Sequence, residues 1–227
     1  MSNRMPLRES VLKALGRNHV VKQNDLGSDA RLSKRGMTFT TESWEILGVG
    51  HLCVMQMSAF FGLMRMETVV VSPTDVDFPL FNMDWVKAFG TETQIAELYD
   101  TQLLPLPNEC CEAFECASAQ YEDLPDAPAG EPHWYDDILY PCSFRKKGRG
   151  LTERMSCIAQ DYLTVYTQLL AAAQACDSTE KAAKVRAFAE RLFDDGGLAV
   201  DQVTKLFGKQ TAKRLILQHM YGVRASA

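Results

Sequence analysis

The amino-acid sequence predicts an α+β fold in which helices cover a central antiparallel sheet. From Met37 onwards, alternating and continuous apolar runs are broken by Gly, Ser and Pro, which is typical of successive strands joined by tight turns. Apolar residues at helical spacing follow in the last third of the chain. Strands without intervening helices favour an antiparallel meander, and strands followed by helices favour the α+β class.

Each element can be assigned in chain order. Residues 6–17 have the pattern of a short helix, and residues 18–35 are polar and predicted to be irregular. Five or six strands then follow, the last two in "PLFNMDWVKAF" and "TQIAELYDTQL". Residues 104–132 are rich in Pro, Glu, Asp and Ala, and we expect a long acidic excursion there.

The remainder is predicted to be helical. "LTERMSCIAQDYLTVYTQLLAAAQA" has helical periodicity, with Thr152 as the candidate cap. "DSTEKAAKVRAFAERLF" opens with a cap signal, and "VDQVTKLFGKQTAKRLILQHMYGV" closes the chain. We expect a single domain over residues 1–227, because a second independent domain would be cramped at this length.

Composition narrows the classes of function. The net charge of −5 argues against nucleic acid as the main partner. No run of about 18 apolar residues predicts a membrane span, so we expect no membrane partner. The N-terminal segment lacks the apolar core of a secretion signal, and seven scattered cysteines fit a reducing cytoplasm. We expect a monomer.

Common catalytic and metal-binding motifs are absent from the sequence. It contains no phosphate-binding glycine loop, no Gly-x-Ser-x-Gly and no His-Glu-x-x-His. The adjacent cysteines of "NECCEAFEC" suit one metal poorly, so we predict no metal site. Of the four histidines, His51 is the most notable, because it falls in a predicted core strand. "FRKKGRG" is the densest positive run and is usually a solvated turn.

Asp84 is the most unusual residue of the predicted sheet. It lies within "FPLFNMDWV", among the apolar side chains of a buried strand. A carboxylate there is costly unless it is paired or takes up a proton. A carboxyl group held protonated near neutral pH can serve as a proton donor. The alternative interpretation is that Asp84 caps a turn or pairs with a neighbour such as Lys87.

The sequence resembles the ferredoxin-dependent bilin reductases. The resemblance begins at "DFPLFNMDWV" and "TETQIAELYDTQ", continues through "PHWYDDILYPCSFR" and ends in "VTKLFGKQTAKRLILQHMYGV". These stretches occur in the family's order and span most of residues 45–222. The resemblance implies a three-layer α/β/α sandwich, with a central antiparallel sheet flanked by helices.

The resemblance also implies site residues. Asp84 corresponds to the aspartate that takes part in protonating the bound tetrapyrrole. A second acidic group before the last helix corresponds best to Asp195, with Asp194 and Asp201 as alternatives; the other interpretation of Asp194 and Asp195 is a helix C-terminal turn. Where many members have a histidine 17 residues before the aspartate, this chain has Glu67. We therefore predict that Glu67 and Asp84 face the pigment as an acid pair, the alternative being that Glu67 points to solvent or pairs with Arg65.

Basic side chains are expected to hold the pigment's propionates. The candidates are Arg65, Arg145 and Lys146, and His51 is a further substrate-binding candidate.

The resulting functional prediction is ferredoxin-dependent reduction of an open-chain tetrapyrrole, such as biliverdin, with no tightly bound cofactor. Electrons would come one at a time from reduced ferredoxin, and the protein would supply protons. Two alternatives stay open: a non-enzymatic protein that binds bilin or haem-breakdown products, and a reductase of a chlorophyll breakdown product.

Overall fold

The protein is represented by a computed structural model that describes residues 6–128, 130–196 and 198–223. The strands are β1 Val21–Gln23, β2 Arg31–Lys34, β3 Met37–Ile46, β4 Gly50–Ala59, β5 Met64–Pro73, β6 Leu80–Ala88, β7 Thr91–Tyr99 and β8 Phe144–Arg149. The helices are α1 Leu7–Leu15, α2 Asn108–Ala119, α3 Thr152–Ala172, α4 Ser178–Asp195, α5 Leu198–Phe207 and α6 Lys209–Lys213. A π-helical segment, Arg214–Met220, continues α6.

All eight strands form one antiparallel sheet, in the order β1-β3-β4-β5-β6-β7-β8, with β2 also paired to β3. Strands β3 to β7 are a meander, so neighbours in sequence are neighbours in the sheet, as the alternating apolar runs predict. Strand β8 returns after a long excursion and pairs with β7. The predicted α+β fold with a central antiparallel sheet is confirmed.

Helices cover both faces of the sheet, which makes three layers. On one face, which we call the α3 face, helices α1, α2 and α3 pack on alternate strand residues such as Val69, Phe81 and Leu98. On the other, the α4 face, helix α4, helix α5 and the C-terminal segment pack on Cys53, Val70 and the residues that alternate with the first set. Each face of the sheet therefore has its own apolar core. Within the described ranges, no helix is long and apolar enough to cross a bilayer.

Two segments predicted to be irregular contain regular structure. Residues 18–35 include the short strands β1 and β2. Both strands pair along one edge of the sheet and are mostly exposed, so their side chains are polar and show no apolar strand pattern. The acidic excursion at 104–132 contains helix α2. Its side chains are mainly solvated, but Phe114 is fully buried and packs on Tyr162 of α3 at 4.6 Å between ring centroids.

The basic run at 144–149 is strand β8 rather than a solvated turn, because its backbone pairs with β7. The prediction that Thr152 caps α3 is also wrong: Leu151 occupies the cap position, and the Thr152 hydroxyl donates to Glu92. The cap signal at Asp177 is confirmed, since its carboxylate accepts from the backbone of Thr179 at 2.8 Å. The predicted closing helix is interrupted at Gly208, whose φ of 87° suits glycine.

Candidate functional site

A group of polar side chains lies in the middle of the otherwise apolar α4 face. The strand register places Thr68 opposite Asp84, and Asn82 opposite Glu97, while Arg145 lies on β8 in the same row as Asp84. Because side chains alternate along a strand, these five point to one face. We call them the central polar cluster.

Asp84 is held at both carboxyl oxygens. The Thr68 hydroxyl donates to Oδ1, and the Asn82 amide donates to Oδ2 at 2.9 Å. Protein atoms surround the carboxyl, but the residue keeps some accessible surface. Burial, together with the negative charge of Glu97, raises the pKa of Asp84 to about 6 despite the two hydrogen bonds. The group can therefore gain and lose a proton near neutral pH.

Glu97 is buried and fully engaged. Arg145 donates to its Oε1 from Nε at 2.9 Å and from a terminal nitrogen at 2.7 Å, and the Tyr99 hydroxyl donates to Oε2. Burial and the charge of Glu97 raise the pKa of the Tyr99 phenol well above its ordinary value. Our sequence analysis missed Asn82, Glu97 and Tyr99. Their spacing of two residues from Asp84 or from one another was the available signal.

Glu67 lies on the α3 face, so the predicted acid pair with Asp84 does not form. Glu67 is opposite Trp85, one residue out of step with Asp84. A shift of one residue along a strand moves a side chain to the other face. Glu67 is 4% exposed, so it does not point to solvent, and its oxygens accept from the backbone N–H groups of Leu7 at 2.9 Å and Arg8 at 3.0 Å. It anchors the N-terminus of helix α1.

This placement predicts that Glu67 contributes to stability. In Glu67→Gln the amide group can accept only one of the two helix N–H bonds, and the favourable charge at the helix N-terminus is lost. We expect the free energy of unfolding to fall by about 1–2 kcal/mol, measured by urea denaturation at neutral pH. Glu122→Gln, an exposed loop position, is the control. Unchanged stability together with slower pigment reduction would contradict the assignment.

Arg65 and Lys146 also lie on the α3 face, so the sheet separates them from Asp84. Arg65 is exposed near the start of β5, two residues from Glu67. Lys146 pairs with Asp126 at 2.7 Å. Of the three predicted propionate-binding cations, only Arg145 shares a face with Asp84.

A cavity of about 770 Å³ opens on the α4 face, at the end of the sheet near His51. His51 is four residues from Asp84 along the strand direction and two strands away, a separation of roughly 16 Å. Its Nε2 donates to the His219 carbonyl at 2.8 Å, and burial lowers the pKa of the ring. Tyr221 connects the two regions: it lines the cavity, and the charges of Asp84 and Glu97 add to burial in raising its pKa.

The C-terminal segment is fastened over this face by Asp29, which lies just before β2. Arg214 donates to both oxygens of the Asp29 carboxylate, and His219 Nε2 is 3.0 Å from Oδ2. The guanidinium lowers the pKa of Asp29 to about 2, so the carboxylate stays charged throughout the physiological range. Asp29, in the segment predicted to be irregular, thus positions the C-terminal residues that line the cavity, such as His219 and Tyr221.

Asp195, the predicted second acidic group, is exposed at the end of α4. Its carboxylate forms an ion pair with Arg191, one turn earlier, at 3.1 Å. Gly196 follows at φ 78°, a helix C-terminal turn. Asp194 and Asp201 are exposed as well. Across the described ranges, no group of three or more His, Cys, Asp or Glu side chains is arranged to hold a metal ion.

Comparison with known proteins finds a match in fold. No protein-family model matches the sequence, and no curated protein matches it. Among solved structures, the chain is similar to the crystal structure of selenomethionine phytochromobilin synthase from tomato in complex with biliverdin, with a TM-score of 0.75. The superposition covers 96% of this chain and 82% of that chain, at 14% sequence identity. This likeness supports the three-layer fold described above.

Proposed function

We propose that this protein is an oxidoreductase that reduces an open-chain tetrapyrrole, such as biliverdin, with reduced ferredoxin as the electron donor. The observation that carries the proposal is Asp84: a carboxyl group with a pKa near 6, oriented at both oxygens, on the sheet face beneath α4. The similar fold of the biliverdin-bound tomato enzyme is consistent with this role.

In the proposed reaction, reduction of one double bond consumes two electrons and two protons. Ferredoxin supplies the electrons singly, and the conjugated pigment accepts them without a further bound cofactor. Asp84 supplies a proton through its carboxyl oxygen, while Thr68 and Asn82 fix the direction of transfer. The accessible part of the Asp84 surface provides the route by which a proton from solvent replaces the one delivered.

The surrounding side chains would exclude water and orient the pigment. Cys53, Met55 and Met57 of β4 form an apolar strip beside Thr68, with Met55 directly opposite it in the row that contains Asp84. An apolar, water-poor surface raises the pKa of Asp84 and protects reactive intermediates from side reactions. Arg145 faces the same side, and we assign it, with His51 at the cavity, to the pigment's polar groups. The exposed, ion-paired Asp195 is not part of this proposal.

Titration with biliverdin tests the proposal. We expect a saturable shift of the pigment's long-wavelength band, followed by a change to a reduced product when reduced ferredoxin is added under anaerobic conditions. Asp137→Asn, an exposed aspartate, is the control for nonspecific effects of losing a charge. A spectrum that stays that of free pigment would refute both binding and catalysis. Binding without ferredoxin-driven change would instead identify a pigment-binding protein.

A further inference from the structure

Exposed apolar side chains are concentrated at one end of the sheet. Phe60, Phe61, Leu63 and Phe89 are 57%, 108%, 60% and 64% exposed, and they lie in the β4–β5 and β6–β7 turns. The two turns touch: the Phe89 N–H donates to the Leu63 carbonyl at 3.2 Å, and the rings of Phe60 and Phe89 are 5.9 Å apart. The result is a continuous apolar projection.

The backbone at these aromatic residues is unfavourable for them. Phe60, Phe61 and Phe89 have φ values of 51°, 55° and 49°, in the left-handed region that glycine, asparagine and aspartate tolerate best. Phe89 and Gly90 form a two-residue hairpin turn in which both φ values are positive, and Asn or Asp is usual at the first position. The phenyl ring at Phe89 suits neither the turn nor the core, which points to a role outside folding.

The same end of the sheet is strongly basic. We define the tip edge as residues 34–37, 58–65, 87–92 and 148–150, which are the turns and strand ends at this side of the sheet. Its sequence contains five basic residues and one acidic residue, the buried Glu92, in a protein of net charge −5. The basic residues are Lys34, Arg35, Arg65, Lys87 and Arg149. Lys87 pairs with Glu92 at 3.0 Å.

We propose that the tip edge docks on an anionic lipid bilayer. The four apolar side chains insert into the interfacial region, and the basic side chains contact headgroup phosphates. Membrane-surface binding increases with buried apolar area and with each nearby cation. This inference does not depend on the proposed enzymatic function. The expectation of no membrane partner rests on the absence of an apolar run that could span a bilayer. Docking on the bilayer surface requires no such run.

The shape of the tip edge favours a bilayer over a protein partner. The apolar side chains project from two separate turns, and the Phe61 side chain is exposed over its whole surface. A fluid interface can enclose each projecting side chain, whereas a protein partner would need a matching pocket for each one. The acidic remainder of the protein is repelled by anionic lipid, which orients the molecule with this edge towards the surface.

Sedimentation with vesicles tests the proposal. We expect the protein to pellet with vesicles of phosphatidylcholine and phosphatidylserine, but weakly with phosphatidylcholine alone, and less at high salt. Phe61→Ser and Phe89→Asn should each lower the partition coefficient roughly tenfold. Arg35→Glu should lower it by at least about fivefold. Because asparagine suits the backbone at position 89, Phe89→Asn should bind less while being at least as stable as the wild type, which excludes unfolding as the cause.

The matched controls lie at the opposite end of the sheet. Val20→Ser removes an apolar side chain that is 66% exposed, and Arg17→Glu reverses an exposed charge near it. Both should leave vesicle binding unchanged. Failure of the wild type to bind anionic vesicles, or equal losses in the controls, would overturn the proposal. It would also be overturned if the tip-edge variants slowed reduction by ferredoxin without affecting vesicle binding, since the surface would then serve an acidic protein.

Discussion

Asp84→Asn is expected to slow reduction of the bound pigment by about 10²–10⁴-fold while leaving pigment binding nearly unchanged. Asparagine has almost the same shape and can still pair with Asn82 and Thr68, but it has no transferable proton. Single-turnover reduction of preloaded pigment, with an excess of reduced ferredoxin, measures the effect. Reduction at the wild-type rate, with the wild-type product, would make Asp84 a structural residue.

The wild-type rate should also depend on pH in a defined direction. Asp84 has a pKa of about 6, so its protonated form is lost as the pH rises above that value. The rate of reduction should therefore fall up to tenfold for each pH unit above about 6. Bound pigment would displace water and raise this pKa, which moves the fall to higher pH. Asp84→Asn should lack the dependence, whereas Asp137→Asn should retain it.

Asp84→Asn should also stabilise the pigment-free protein. The pKa of Asp84 is raised in the folded state from 3.8 to about 6, so ionisation disfavours folding, and stability falls as the pH rises through this interval. Above about pH 6 the full free-energy cost of holding Asp84 ionised in the folded state is present. Replacing the carboxyl with an amide should therefore increase the free energy of unfolding by up to about 3 kcal/mol at neutral pH. Increased stability together with lost activity is expected of a group retained for chemistry.

Arg145→Met is expected to have the second-largest effect. It leaves the buried Glu97 carboxylate without its cation, and breaking a buried pair costs about 3–5 kcal/mol. Because the Arg145 side chain is 35% exposed, solvent screens part of this interaction, and we expect a loss of about 2–3 kcal/mol. Urea denaturation measures it. Lys147→Met, an exposed position on the same strand, should change stability little.

Arg145→Met should also change the chemistry of Asp84. The charge of Glu97 already raises the pKa of Asp84, and removing the neutralising guanidinium strengthens that effect. The pH at which the reduction rate falls should therefore rise in Arg145→Met and decrease in Glu97→Gln. The double variant should recover much of the lost stability, because no unpaired charge remains. If the single variants do not move the pH profile, Glu97 does not influence proton transfer.

Asp84 could be recognised from the sequence because its signal is local. A carboxylate among strand-forming apolar residues must either find partners or change its pKa, and this argument needs no knowledge of neighbouring strands. The meander was predictable for a similar reason, since apolar runs of about strand length separated by turn residues pair with their neighbours in sequence. Cores formed from both faces follow from continuous apolar runs such as "VVV" at 69–71.

Elements held by contacts made elsewhere in the chain were not predictable. Strands β1, β2 and β8 are polar because they lie at or beside an edge, and backbone pairing rather than side-chain pattern defines them. Helix α2 depends on Phe114 fitting against α3, which its acidic composition conceals.

Residue chemistry alone therefore identified a protonatable carboxyl group in the sheet, and the strand register alone decided what surrounds it. Glu67 and Asp84 are both acidic and lie on paired strands, but a difference of one residue in register sends Glu67 to the N-terminus of α1 and brings Thr68 to Asp84. The same alternation places Arg65 and Lys146 on the α3 face and Arg145 on the α4 face. Side chains along a strand alternate between the two faces, so a shift of one residue moves a side chain to the other face. Hydrogen bonds between strands that are distant in sequence determine that register.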